Sequence, residues 1–278
     1  MPPTDKLITL RDPRSPAAEA FRTLRTNLIF SSLDHPLTTL LVTSATPEEE
    51  KSLTLANLAV TMAQGGRATI LVDCDLRRPH QHEIFGVPAE PGLTSMILEN
   101  RDEPVLAATG VENLWLLPSG PLPPNPADLL SSRRMESLIA ALKSRADIVL
   151  FDAPPVVVVT DAALLASKLD GVLLVVSAGQ TKREHAQRAK ELLEKINVRL
   201  VGAVLTNAQP IGRASNSDCK AAWVKVNCSS SMLLRLGRGL PASTSHCRCP
   251  PGRASKPLAP IRSRFSTPYV NLVAIITT

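Results

Sequence analysis

Short segments that are apolar at nearly every position recur along this 278-residue chain, each separated from the next by a stretch that reads as helix or connection. They are residues 37–43 (LTTLLVT), 68–73 (ATILVD), 113–117, 147–152, 171–177 and 198–207. A strand with one wet face alternates apolar and polar residues, whereas a strand covered on both faces has no reason to. Repeated strand–helix units of this kind predict an α/β fold, doubly wound, with a mainly parallel sheet and helices on both faces. Residues 52–64, 133–143 and 182–195 carry the helices, and Gly65-Gly66 stops the first of them. Ser15 is placed to cap another helix through about residue 30, with Ala18, Phe21, Leu24 and Leu28 on its apolar face.

This grammar ends near Asn207. Residues 1–208 carry 21 Lys/Arg against 24 Asp/Glu, and residues 209–278 carry 10 Lys/Arg against the single acid Asp218. The net charge of +6 is thus a property of the tail, and it does not make the body a nucleic-acid binder. The division expected is an N-terminal segment 1–14, a folded domain 15–208 and a basic Pro/Ser/Cys-rich tail 209–278. The tail is too poor in periodic apolar residues to bury a core and reads as disordered, with an edge strand near 269–276 as the exception. Cys74 lies in the body, while Cys219, Cys228, Cys247 and Cys249 lie in the tail, so nothing requires an oxidising compartment. No apolar run has the length of a membrane helix and the N-terminus lacks a secretion-signal pattern, which leads to the expectation of a soluble, cytoplasmic protein.

The stretch SATPEEEKSL, residues 44–53, joins the first strand to its helix. A phosphate-binding loop has this layout: backbone N–H groups at a helix N-terminus wrap the phosphates, a Lys reaches them, and a Ser/Thr hydroxyl joins the Mg²⁺ shell. Lys51 and Ser52 stand where that chemistry requires. Glu48 and Glu50 stand where such a loop prefers glycine, and by themselves they equally suit an acidic helix start. Asp73 and Asp75 follow one strand (ILVDCDLRRP) and Asp152 ends another (IVLFDAPP). A carboxylate there is the usual holder of Mg²⁺ beside a phosphate loop, although a single one is more often an ordinary strand-to-loop residue. Arg77 and Arg78 are open between phosphate, partner and solvent. His80 and His82 have no further metal-ligand residue beside them, and His246, Cys247 and Cys249 form only a weak zinc pattern.

Taken together, SATPEEEKSLTLANLAV, ILVDCDLRRPH, IVLFDAPPV and VTDAALLASKLDGVLLVV resemble the bacterial tyrosine kinases of capsule and exopolysaccharide assembly, P-loop proteins related to septum-site and partition ATPases. The resemblance runs from about Asp12 to Asn207. It implies transfer of the ATP γ-phosphate to protein tyrosines with Mg²⁺. Lys51 and Ser52 would then be the phosphate and Mg²⁺ residues, within a nucleotide loop of Pro47, Glu48, Glu49, Glu50, Lys51, Ser52 and Leu53. Asp73 and Asp75 would organise Mg²⁺ and activate the tyrosine hydroxyl, Asp152 would complete the metal site, and Asn207 would lie near the adenine. Glu19, Arg22 and Arg25, in E-x-x-R-x-x-R spacing, would join neighbouring subunits in a ring, where spacing alone suggests a solvated helix face. PSGPLPPNPADLLSS resembles the family's Pro-rich loop before the helix that leads to Asp152. The implied partners are a transmembrane polysaccharide co-polymerase adaptor, further copies of the chain and tyrosine-bearing proteins, with no nucleic acid.

The chain departs from that family in two places. Its loop pattern is close to S-A-x-P-G-E-G-K-S-T, and here Glu48, Glu50 and Leu53 replace Gly, Gly and Thr. Two carboxylates facing phosphates cost on the order of 1 kcal/mol each. A left-handed backbone at Glu50 would add roughly 1–3 kcal/mol, so affinity is expected to fall by about several hundredfold. The second departure is the tail, which has one tyrosine, Tyr269, where the family has a cluster. Two other readings compete with a working kinase: a pseudokinase serving as an oligomerisation module, and a partition-type ATPase.

Overall fold

A computed structural model describes residues 6–208 apart from 34, 48 and 102, together with the backbone of residues 275–277. Eight strands form one sheet in the order β3-β4-β2-β5-β1-β6-β7-β8. The six inner strands are parallel: β4 (Leu114–Leu117), β2 (Thr69–Asp73), β5 (Ile148–Asp152), β1 (Thr39–Ser44), β6 (Gly171–Ser177) and β7 (Leu200–Thr206). The short β3 (Ala107–Ala108) and β8 (Ile275–Thr277) close the two edges antiparallel. The edge strand anticipated near 269–276 is therefore present in its last residues, paired with β7. The remainder of the tail, with Tyr269 and the His246/Cys247/Cys249 group, lies outside the described residues, as does Glu48.

All residues of β1, β2 and β5 are buried, as their unbroken apolar character requires. Their side chains still alternate between two separate cores. Leu40, Val42, Leu71 and Leu150 pack on one face with α1 (Ile8–Arg11), α2 (Pro16–Ser31), α3 (Lys51–Gln64) and α4 (Gln81–Phe85). Leu41, Ile70, Val72, Val149 and Phe151 pack on the other with α5 (Leu93–Leu98), α6 (Pro126–Ser131), α7 (Arg133–Lys143), α8 (Asp161–Ala166) and α9 (Arg183–Lys195). Residues before Ser15 join the first core. Leu7 is fully buried, and the backbone N–H and hydroxyl of Thr9 both donate to Asn57 Oδ1 of α3, at 3.1 and 3.0 Å.

Serine side chains cap two of the longer helices. The Ser15 hydroxyl accepts from the Ala18 N–H at 3.2 Å, and Ser132 accepts from Met135 at the start of α7. The start of the Pro-rich loop is docked through backbone: the N–H groups of Leu93 and Thr94 donate to the carbonyls of Pro118 and Ser119. A Cβ on Gly92 would lie 2.2 Å from the Gly120 nitrogen, so only glycine allows that approach.

Candidate active site

The strand order places β1 between β5 and β6, which is where successive connections leave the sheet in opposite directions. Crevices at such a switch point, beyond the carboxyl ends of the strands, are where open α/β sheets bind ligands. Two candidate residues reach it because of register and a third through the loop after β1. Asp73 and Asp152 are paired neighbours at the ends of β2 and β5, and Val42 of β1 is level with Asp152. The loop after β1 then delivers Lys51 as the first residue of α3.

Lys51, Asp73, Asp75 and Asp152 form one buried cluster. The Lys51 ammonium donates to Asp75 Oδ2 at 2.7 Å, to Asp152 Oδ1 at 3.2 Å and to Ser52 Oγ at 3.2 Å. Burial opposes its charge, but the Asp152 and Asp75 carboxylates outweigh that and raise its pKa. Asp73 is fully buried and accepts three backbone N–H groups, from Asp75, His80 and Gln81, at 3.2, 3.1 and 3.0 Å. Desolvation, followed by repulsion from Asp152, still pushes its pKa well above the ordinary carboxylate value. Desolvation first, then the same carboxylates, raises the neighbouring Cys74 thiol, which keeps it protonated.

The loop itself splits into two behaviours. Glu49 is buried and turned inward. Its Oε2 accepts the N–H groups of Ala45 and Thr46 at 2.6 and 3.1 Å, and its Oε1 accepts from the Thr181 hydroxyl beyond β6. Its carboxylate therefore fastens the loop to the sheet. Glu50 has φ 50° and ψ 31°, the left-handed conformation that glycine adopts freely and other residues do not. Its Oε2 is buried with no hydrogen-bond partner among the described residues, and desolvation raises its pKa. The backbone thus keeps the turn a phosphate loop needs, while the side chain carried by that turn is unsatisfied. Pro47 is exposed and Leu53 is partly buried against the α1–α4 core.

The other candidates fall at varying distances from this cluster. Asn207 follows β7 in a left-handed conformation, φ 56°, and its amide donates to Ser177 Oγ at 2.9 Å. On α2, Arg22 pairs with Glu19 at 2.6 Å on the surface and also donates to the Pro13 carbonyl. Arg25 donates to the Thr61 carbonyl at 2.8 Å in the last turn of α3, so part of its role is within the chain. Arg77, left open by the sequence, makes a two-pronged contact with buried Asp161, at 2.8 and 3.1 Å. The His80 ring lies 3.4 Å from Glu83, and the described residues contain no cluster of three His, Cys, Asp or Glu suited to a metal.

Sequence reasoning missed Gln81 and Thr181. A glutamine between two histidines and a lone threonine carry no pattern; only the folded chain brings them to the site.

A strand, a Lys-Ser loop and a helix, with carboxylates on two adjacent strand ends of a mainly parallel sheet, define a P-loop NTPase fold. Comparison with known proteins narrows the class. The chain is 42% identical over 200 residues to the tyrosine-protein kinase YwqD of Bacillus subtilis, covering 72% of this chain and 84% of that protein. Among solved structures it is similar to the chimerical protein CapA2B2 (38% identity, TM-score 0.69, 72% of this chain and 89% of that one). It is also similar to the kinase domain of the Escherichia coli tyrosine kinase ETK (32% identity, TM-score 0.68, 74% and 84%). The chain belongs to the bacterial tyrosine-protein kinase family. No protein-family model matches it. A septum site-determining protein MinD from Pyrococcus horikoshii, solved with Mg-ADP, is 22% identical with a TM-score of 0.52 over 60% of this chain, a likeness of fold alone.

Proposed function

We propose that this chain is the ATP-dependent catalytic domain of a tyrosine kinase of capsule or exopolysaccharide assembly, with its nucleotide affinity weakened by Glu48, Glu50 and Leu53. The observation that carries the reading is Lys51 held between Asp75 and Asp152 at the sheet's switch point. An ammonium already sits among a hydroxyl and two carboxylates, and hard oxygen donors of this kind suit Mg²⁺. The oxygens around the ammonium, from Ser52, Asp75 and Asp152, therefore fit the ion; Ser52, Asp152 and its in-register neighbour Asp73 would hold it, with Asp75 beside them. Bound Mg²⁺ would neutralise charge on the phosphates and on the transferred group.

The chain's own residues do the rest. Lys51 leaves its carboxylates for the phosphate oxygens of ATP, and the first-turn N–H groups of α3 face the same anion. Asp73 or Asp75 accepts the proton of the tyrosine hydroxyl as its oxygen bonds to the γ-phosphorus and the bond to ADP breaks. Asn207 and Ser177 border the adenine. Glu49 keeps the loop closed against Thr181 while this happens.

Residues 15–208, with residues 7–11 packed on them, constitute the catalytic domain, and the tail is accessory. Glu19, Arg22 and Arg25 would meet a neighbouring subunit in a ring, supported by the exposed Glu19 and half-exposed Arg22 on α2, and a transmembrane co-polymerase adaptor would hold the domain at the cytoplasmic face. No helix among the described residues is long and apolar enough to cross a membrane. The direct test is transfer of labelled γ-phosphate from ATP to tyrosine by the chain and by a Glu48→Gly/Glu50→Gly/Leu53→Thr revertant. Transfer at least tenfold faster in the revertant is expected. ATP hydrolysis without any phosphotyrosine, in either protein, would contradict the reading and favour a partition-type ATPase.

A further inference from the structure

Gln81 is the first residue of α4, is fully buried, and commits both hydrogens of its amide. Nε2 donates to Asp152 Oδ2 at 2.7 Å and to the Ser52 carbonyl at 3.0 Å. Its backbone N–H donates to Asp73 Oδ2 at 3.0 Å. One residue thereby ties together the elements that build the cluster: its side chain joins the start of α3 to the end of β5, and its backbone N–H holds the end of β2. Because two acceptors fix the nitrogen, the amide's orientation is set by the network. Its Oε1 is left buried without a donor among the described residues. Buried acceptors are nearly always satisfied, and an exception points to a water or ligand that supplies the donor.

The division of Asp152 gives this geometry a consequence. Oδ2 is taken by Gln81 and Oδ1 by Lys51. When Lys51 moves to a phosphate, Oδ1 alone is released, and Gln81 prevents the carboxylate from rotating towards its in-register neighbour Asp73. Mg²⁺ keeps several waters in such sites, and each of those waters needs acceptors around it. We propose that Gln81 is a positioning residue of the phosphoryl-transfer site, presenting Asp152 Oδ1 to the cation and accepting through Oε1 from a water bound to it. This rests on the reading of Ser52 and Asp152 as cation ligands. Methionine at 81 would fill the space without donating, and glutamate would place a further carboxylate against Asp152.

The test places Gln81→Met and Gln81→Asn in the full-length Glu48→Gly/Glu50→Gly/Leu53→Thr chain and follows free Mn²⁺ by electron paramagnetic resonance, with and without ADP. Outer partners of metal ligands typically contribute about 10–100-fold to affinity. Gln81→Met is expected to weaken ADP-dependent Mn²⁺ binding by about that factor while metal-free ADP binding stays within about twofold. Should Gln81→Met fail to fold, Gln81→Asn carries the same readout, with a smaller loss because it keeps an amide donor although it is too short to bridge Ser52 and Asp152. A lower melting temperature with unchanged Mn²⁺ affinity would overturn the proposal and leave Gln81 a packing residue. Absence of any ADP-dependent Mn²⁺ site in the parent with Gln81 intact would overturn the cation-site reading as well, and so is a distinguishable failure.

Discussion

The two ends of β1 use carboxylates in opposite ways. At its N-terminal end a single half-exposed acid, Asp170, accepts the Thr38 N–H, the Thr38 hydroxyl and the Thr39 N–H at 3.0, 2.6 and 2.8 Å. Burial works against that charge, but the hydrogen bonds from Thr38 and Thr39 outweigh it and lower the pKa. At the C-terminal end, Asp73, Asp75 and Asp152 cluster with one lysine, the loop after β1 adds Glu49 and Glu50, and Asp73 and Glu50 are both pushed up. One end is arranged so that its charge is content in the folded chain. The other collects charges that the fold does not fully satisfy, as a site awaiting a polyanion and a cation would.

Breaking the crowded end should have the largest effect. Lys51→Met leaves Asp75 and Asp152 buried without their cation. Removing one partner of a buried pair costs about 3–5 kcal/mol, to be read from urea unfolding at neutral pH. An unchanged midpoint would mean that the acids are relieved by solvent and that the cluster is not the buried unit described. Next comes Glu49→Ala, which strands the N–H groups of Ala45 and Thr46 and frees Thr181. A loss of about 2–3 kcal/mol is expected, whereas a Glu49 that merely faced phosphate would cost affinity and no stability.

The quiet end supplies the control. Asp170→Asn keeps an oxygen in place but loses its charge, so about 1 kcal/mol should go at neutral pH, screening by solvent keeping the figure small. The sign follows from linkage: a carboxyl whose pKa is lower in the folded chain stabilises it above the ordinary value of 3.8, and loses that contribution as pH falls through the lower folded value. The wild-type and Asp170→Asn stabilities should therefore converge on acidification below about pH 4. A difference that persists unchanged at pH 2 would mean the charge is not its source. The smallest effect should have the opposite sign. Glu50→Gly relieves a left-handed non-glycine residue and an unpaired carboxylate, and is expected to stabilise by about 1 kcal/mol, the extra chain entropy of glycine limiting the gain.

This contrast also marks what the sequence made legible. The strands could be read because both faces of the sheet are covered, which leaves unbroken apolar runs. Lys51, Asp73 and Asp152 could be read because a phosphate loop and a strand end fix their places locally. The four- to six-residue helices α1, α4, α5, α6 and α8 are too short for a 3.6-residue period to register. Glu49 stood in the loop as a nucleotide contact, and only folding shows its carboxylate turned to Thr181, 132 positions away in the chain. The bond from Arg25 to Thr61 and the pairing of Arg77 with Asp161 were hidden for the same reason, since partners 36 and 84 positions apart leave no local pattern. The left-handed turn at Glu50 was legible as a glycine's place; that the turn persists with glutamate in it required the structure.

Residues 44–53 are read as a phosphate loop that keeps the left-handed turn at residue 50 and is weakened by its glutamates. Calorimetric titration of Mg-ADP into the chain and into the Glu48→Gly/Glu50→Gly/Leu53→Thr revertant tests it most directly. Binding in the revertant is expected to be tighter by about a hundredfold or more, equivalent to roughly 3 kcal/mol. Equal affinity in the two proteins would contradict it, and would mean that a left-handed, unpaired Glu50 does not disturb a bound phosphate.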